Sequence, residues 1–157
     1  MRASDHAARK RADSISAALR HVRDAEHLAS SGPHQSLDQA FHLAGFGPEC
    51  ARKACLSERW ADKAVGHGFG AETEHVLGVV LSLDVQAHRY HPESWNDRYP
   101  ALDSWTEVSR YWPSGRADEA ATTALVAAAR SAVDEVVLAL WSDGVLLGDA
   151  LDAPEVL

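Results

Sequence analysis

Cysteine, methionine, lysine and long apolar runs are all scarce in this chain, and each scarcity excludes something. The two cysteines, Cys50 and Cys55, fall inside one helix-like segment. They read as small apolar fillers in a reducing compartment rather than as a disulfide framework, so a cytoplasmic location is expected. No apolar run approaches the length of a membrane-spanning helix, and no membrane partner is expected. The opening stretch MRASDHAARKRADS is charged with no apolar segment behind it, which does not fit a secretory signal. Against only three lysines stand 12 arginines, a bias expected of a GC-rich, bacterial genome. The formal charge is −8, from 23 acidic and 15 basic residues. That balance argues against a general nucleic-acid coat and leaves room only for a local basic patch. With 157 residues, one domain spanning 1–157 is expected.

What the chain does contain is helical periodicity. From about Asp5 to Ser31, apolar residues recur at Ala8, Ala12, Ile15, Leu19, Val22 and Ala25/Leu28, the face of an amphipathic helix that Gly32-Pro33 ends. A second helix starts at Ser36, where Ser36-Leu37-Asp38-Gln39 reads as a capping box. Its stripe is Leu37, Phe41, Ala44, Ala51, Ala54 and Cys55, with a kink expected at Gly45, Gly47 and Pro48 and an i,i+4 pair at Glu49 and Lys53. Residues 57–65 form a short helix. A third long helix is expected over 71–90 with Val76, Val80, Leu83 and Ala87 inward. Residues 91–116 are irregular and hold three of the five tryptophans and three of the six prolines, with a short helix plausible at 101–110. The last helix, about 117–142, has the clearest stripe (Leu125, Ala129, Val133, Val136, Val137, Leu140), and Gly144 sits where a C-terminal cap belongs. No strand alternation and no internal repeat are visible. The expected fold is all-α: an up-and-down antiparallel four-helix bundle with additional short helices.

Within the second helix, the run His42-Leu43-Ala44-Gly45-Phe46-Gly47-Pro48-Glu49-Cys50-Ala51-Arg52-Lys53-Ala54 resembles the H-L-A-G-Y-x-x-E-x-x-L-K-A helix of HEPN domains. The later Trp105, Arg110-Tyr111 and Gly115 are similar to that family too, as is the alanine-rich helix ending Leu140-Trp141-Ser142-Asp143-Gly144. The resemblance spans roughly residues 15–145 in the same order. Pro48 departs from it, where the family prefers a helix former. It implies a HEPN-like bundle of four to five helices, commonly a homodimer. Such domains serve as RNases in toxin–antitoxin and defence systems or as non-catalytic partners of nucleotidyltransferases. The family's RNase motif is an arginine, four to six residues, then a histidine, towards the end of the bundle. Here the last histidine is His91, so Arg110, Arg116 and Arg130 have none downstream. Only Arg20 and His27 match the spacing, and composition alone yields about two accidental matches. The resemblance therefore implies a module that binds nucleotide, RNA or a partner protein without a complete RNase motif. A divergent, metal-independent endoribonuclease is the alternative.

Other constellations have plain readings beside functional ones. Arg20, Asp24 and His27 share a helical face, either catalytic or simply solvated. Glu72 and His75 form one Glu-x-x-His unit, but a di-iron bundle needs two. Asp84, His88 and His91 could share a face able to hold one zinc ion, and with Glu72 and His75 they define a metal-dependent enzyme as a further alternative. No cofactor is otherwise expected. Gly66, Gly68 and Gly70 precede a helix start, either as a phosphate cradle or as a flexible connection. The arginine–aromatic neighbours are the most informative: Arg89 and Tyr90 before His91, Arg98 with Tyr99, and Arg110 with Tyr111. They suit stacking on bases and contact with phosphates, or else cation–π packing over one end of the bundle. The alanine-rich face Ala120, Ala121, Ala124, Ala127 and Ala128 suits close packing of helices in a dimer.

Overall fold

Steps of three and four between apolar residues determine which faces are buried. In a computed structural model, which describes residues 3–56, 59–90 and 94–146, α1 (Ala3–Ala29) buries Ile15, Ala18, Leu19, Val22 and Ala25, while Ala8 is exposed. α2 (Leu37–Cys55) lies along it. α7 (Glu119–Ser142) completes the main core with Leu125, Ala129, Val133, Val136, Val137 and Leu140. Arg130 of α7 clasps Glu26 of α1 with two hydrogen bonds, at 2.8 and 2.6 Å, which fixes the register of the two helices.

The ends of the helices follow side-chain chemistry. Asp118 caps α7 by accepting from the Ala121 N–H at 2.8 Å. At the other end the Gly144 N–H donates to Trp141 O and the Val145 N–H to Leu140 O, with Gly144 at φ +67°. That is a Schellman close, and a left-handed residue is what it requires. The capping box expected at Ser36 does not form. Ser36 holds the extended N-cap conformation, but its hydroxyl makes no cap bond. Asp38 reaches across the fold instead, accepting from the Gly115 and Ala117 N–H groups at 2.6 and 2.8 Å and tying the entry of α7 to the start of α2.

The Gly45, Gly47, Pro48 cluster does not interrupt α2. Its glycines serve close approach: a Cβ on Gly45 would lie 2.1 Å from the Trp105 indole, and one on Gly47 would lie 2.4 Å from Val22. The expected Glu49–Lys53 pair is present at 2.7 Å.

The helix expected over 71–90 is two. α3 (Arg59–Val65) leads into α4 (Ala71–Leu83), and Asp84 then breaks the chain before α5 (Val85–Tyr90). The break has a local cause: the Asp84 carboxylate accepts from the Ala87 N–H at 2.9 Å and caps the following turn. Leu83, expected inward, is 67% exposed, and Leu77 takes its place beside Val80 and Ala87. These residues pack with Leu56, Ala61 and Val65 in a small second cluster, apart from the core that α1, α2 and α7 share.

The tryptophan-rich segment is an ordered strap across the bundle. α6 (Trp95–Arg98) is followed by 3₁₀ turns at Pro100–Ser104 and Glu107–Tyr111 in place of the one short helix expected at 101–110. Trp95, Leu102 and Trp105 drop into the main core, and Trp112 tilts on Phe41 at 5.2 Å. Among the described residues there is no strand, and no helix is long and apolar enough to cross a membrane.

Candidate functional site

The strap and the end of α5 carry three arginine–aromatic neighbours, and they separate into two kinds. Arg98 pairs with Glu135 of α7, and the Tyr99 hydroxyl donates to the other oxygen of the same carboxylate at 2.6 Å. Burial and that carboxylate push the Tyr99 hydroxyl up to about 12. Arg89 pairs with Asp143 at 2.6 Å. Both arginines are committed to carboxylates of the C-terminal helix and its cap. His91 lies outside the described residues.

Arg110 differs. Its Nε donates to the backbone oxygen of Glu107 at 3.1 Å, and among the described residues no carboxylate pairs with its two Nη groups. Its guanidinium stands 5.3 Å from the Tyr111 ring, which is 77% exposed. A planar fork of donors beside an open aromatic face can meet a phosphate and a base together. Arg116 sits over Trp112 in a similar contact, 4.9 Å away.

Directly behind Arg110, buried Ser109 meets His42 of α2, with Oγ 3.0 Å from Nδ1. The Trp105 indole N–H donates to His42 O at 2.9 Å, so the same residue anchors the strap twice. His42 is held below its ordinary value by burial, then by the Arg110 charge, then by His21. His21 is lowered by burial first and then by Arg20, with Asp24 and Glu49 pulling it upward. Both imidazoles flank the Phe46 ring, at 5.5 Å for His21 and 4.9 Å for His42. Sequence reasoning missed His21, His42 and Ser109 as a group. His42 was visible as the first residue of the HEPN-like run, but its partner lies 67 positions away.

The remaining candidates are dispersed. Arg20, Asp24 and His27 are all exposed on α1, and His27 stacks on His34 with ring centroids 6.4 Å apart. No ion pair joins Arg20 to Asp24 among the described residues. Glu72, His75 and His88 are exposed, whereas Asp84 is buried in its capping role. The described residues include no group of three histidine, cysteine or carboxylate side chains placed to hold a metal ion.

A second polar cluster, also unforeseen, is structural. Arg52 is 2% exposed, with its guanidinium 4.6 Å from the Phe69 ring and 5.0 Å from Trp95. It donates to Gly68 O at 3.1 Å and to Glu74 at 3.4 Å, and burial lowers its pKa to about 10. Glu49, one turn earlier, meets Lys53 and the His67 ring at 2.7 and 2.8 Å. The Gly66–Gly70 loop is thereby clamped to α2. Burial also pushes the Cys55 thiol up to about 12, which makes it inert.

No family model, curated protein or solved structure matches the chain.

Proposed function

We propose that this chain is a HEPN-like helical module that binds a nucleotide or single-stranded RNA on its strap, through Arg110 and Tyr111, and does not itself cleave RNA. The observation that carries this reading is the contrast among the arginines. Arg89 and Arg98 are neutralised by Asp143 and Glu135, while Arg110 keeps two free Nη groups beside an exposed ring. The absence of a histidine four to six residues beyond any late arginine supports a binding role over an RNase one. The up-and-down HEPN-like bundle, the homodimer and the link to a toxin–antitoxin, defence or nucleotidyltransferase system belong to the same proposal. For the dimer, support comes from Ala120, Ala121, Ala124 and Ala127, which are exposed along α7. A monomer mass by light scattering at micromolar concentration would contradict the dimer.

The test is binding of labelled single-stranded RNA and of AMP to the wild type and to Arg110→Ala, with melting temperatures measured alongside. The reading expects weaker binding in the variant, a nearly unchanged melting temperature and intact RNA after incubation. Unaltered binding in Arg110→Ala, or RNA cleavage by the wild type, would contradict it.

A further inference from the structure

Every charged neighbour that acts on His42 is cationic or an imidazole: Arg110 from the strap and His21 from α1. Its other contacts are neutral, namely Ser109 Oγ, the Phe46 ring and the Trp105 indole N–H on its backbone oxygen. On the far side of Phe46, His21 feels Arg20 against Asp24 and Glu49. The Arg110–His42 side of this cluster therefore collects positive charge with no acidic group acting on His42. An arriving anion would supply what is missing.

The geometry points to a terminal phosphate monoester as the group recognised here, two of its oxygens on the Arg110 Nη groups and the third on His42 Nε2, with His42 taking up a proton as the phosphate arrives. This inference rests on the reading of Arg110 as the nucleotide- or RNA-binding arginine, and it names the part of the ligand that is read. Oxygen count selects the monoester. An internal diester offers two non-bridging oxygens, which one guanidinium fork satisfies alone, whereas a monoester offers a third. The Nδ1 atom of His42 is engaged by Ser109, so Nε2 is the ring nitrogen left for that oxygen. A dianion beside the ring favours the imidazolium, which reverses the balance that burial and Arg110 impose on the free protein.

The experiment follows the His42 ring resonances by NMR through a pH titration, alone and with AMP, adenosine, or a short RNA with and without a 5′-phosphate. AMP, the 5′-phosphorylated RNA, or both should raise the His42 midpoint by about one pH unit, and adenosine should leave it unmoved. One unit corresponds to about tenfold tighter binding of the phosphate to the protonated form. His42→Asn, which keeps an acceptor or donor near Ser109 but cannot titrate, should lose about that factor in AMP affinity at pH 6 and little at pH 8. A response to AMP alone identifies a free nucleotide as the source of the phosphate, and a response to the RNA alone identifies an RNA end. If RNA binds through Arg110 but no phosphate monoester moves the His42 midpoint, this inference is overturned and the binding function stands. If neither RNA nor AMP binds, both are overturned.

Discussion

His42 Nδ1 and Ser109 Oγ lie 3.0 Å apart although 67 positions separate them in the chain. The contact joins the middle of the fold to its strap, and it places a partly buried imidazole directly behind Arg110. Both His42 and His21 have folded-state values below the ordinary 6.5, with burial as the first cause. The unfolded chain therefore binds more protons than the native one just below pH 6.5. Stability contributed by these two groups is complete above pH 6.5 and is lost as pH falls through 6.5 towards their folded values. Thermal melts between pH 7.5 and 5.5 should show a falling melting temperature. The slope should flatten in the double variant His21→Asn/His42→Asn. Glu74, whose carboxyl burial pushes up, works in the opposite direction at lower pH, and the double variant isolates the histidine part. An unchanged slope in that variant would contradict the assignment.

Three glycines in helices should respond differently to alanine. Gly45 and Gly47 face Trp105 and Val22 at distances no Cβ tolerates. Gly45→Ala and Gly47→Ala should each cost about 1–3 kcal/mol through overpacking. A Cβ added to Gly78, on an exposed face of α4, would meet nothing within 4 Å, so Gly78→Ala should stabilise by up to about 1 kcal/mol. Urea midpoints of the three variants check the sign of each change.

Arg52 is a buried charge held by two rings, a carbonyl and a carboxylate. Replacing it with alanine strands Glu74 and frees the Gly66–Gly70 loop. The expected loss is about 3–5 kcal/mol, as for breaking one side of a buried pair. Lys53→Ala, on a more exposed side chain of the same helix, should cost less than about 1 kcal/mol. Equal effects of the two substitutions in chemical denaturation would contradict the clamp.

Helix existence was legible in the sequence where periodicity was long and unbroken. Ile15 to Ala25 and Leu125 to Leu140 bury the faces their spacing predicts, and Gly144 closes α7 where a C-terminal glycine was expected. Breaks and caps were harder to read. Asp84 looks like one more polar position on a continuous helix, yet its carboxylate can cap the next turn, and so Leu83 ends outside. Gly45, Gly47 and Pro48 read as a kink because the Trp105 ring that needs the space lies 60 positions further on. The same distance problem hid the site. Arg98 and Arg110 look alike beside their tyrosines, and only the fold shows that Glu135 neutralises the first and leaves the second free.

That contrast provides the most direct measurement. Affinity for a labelled single-stranded RNA is measured against salt concentration for the wild type, Arg110→Ala and Arg98→Ala. The account predicts that Arg110→Ala loses about tenfold or more in affinity and lowers the salt slope by about 0.7, the value for one phosphate contact on a single strand. Arg98→Ala should bind as the wild type does, because its charge is already paired with Glu135. Equal losses in both variants, or no detectable RNA binding by the wild-type protein, would contradict it.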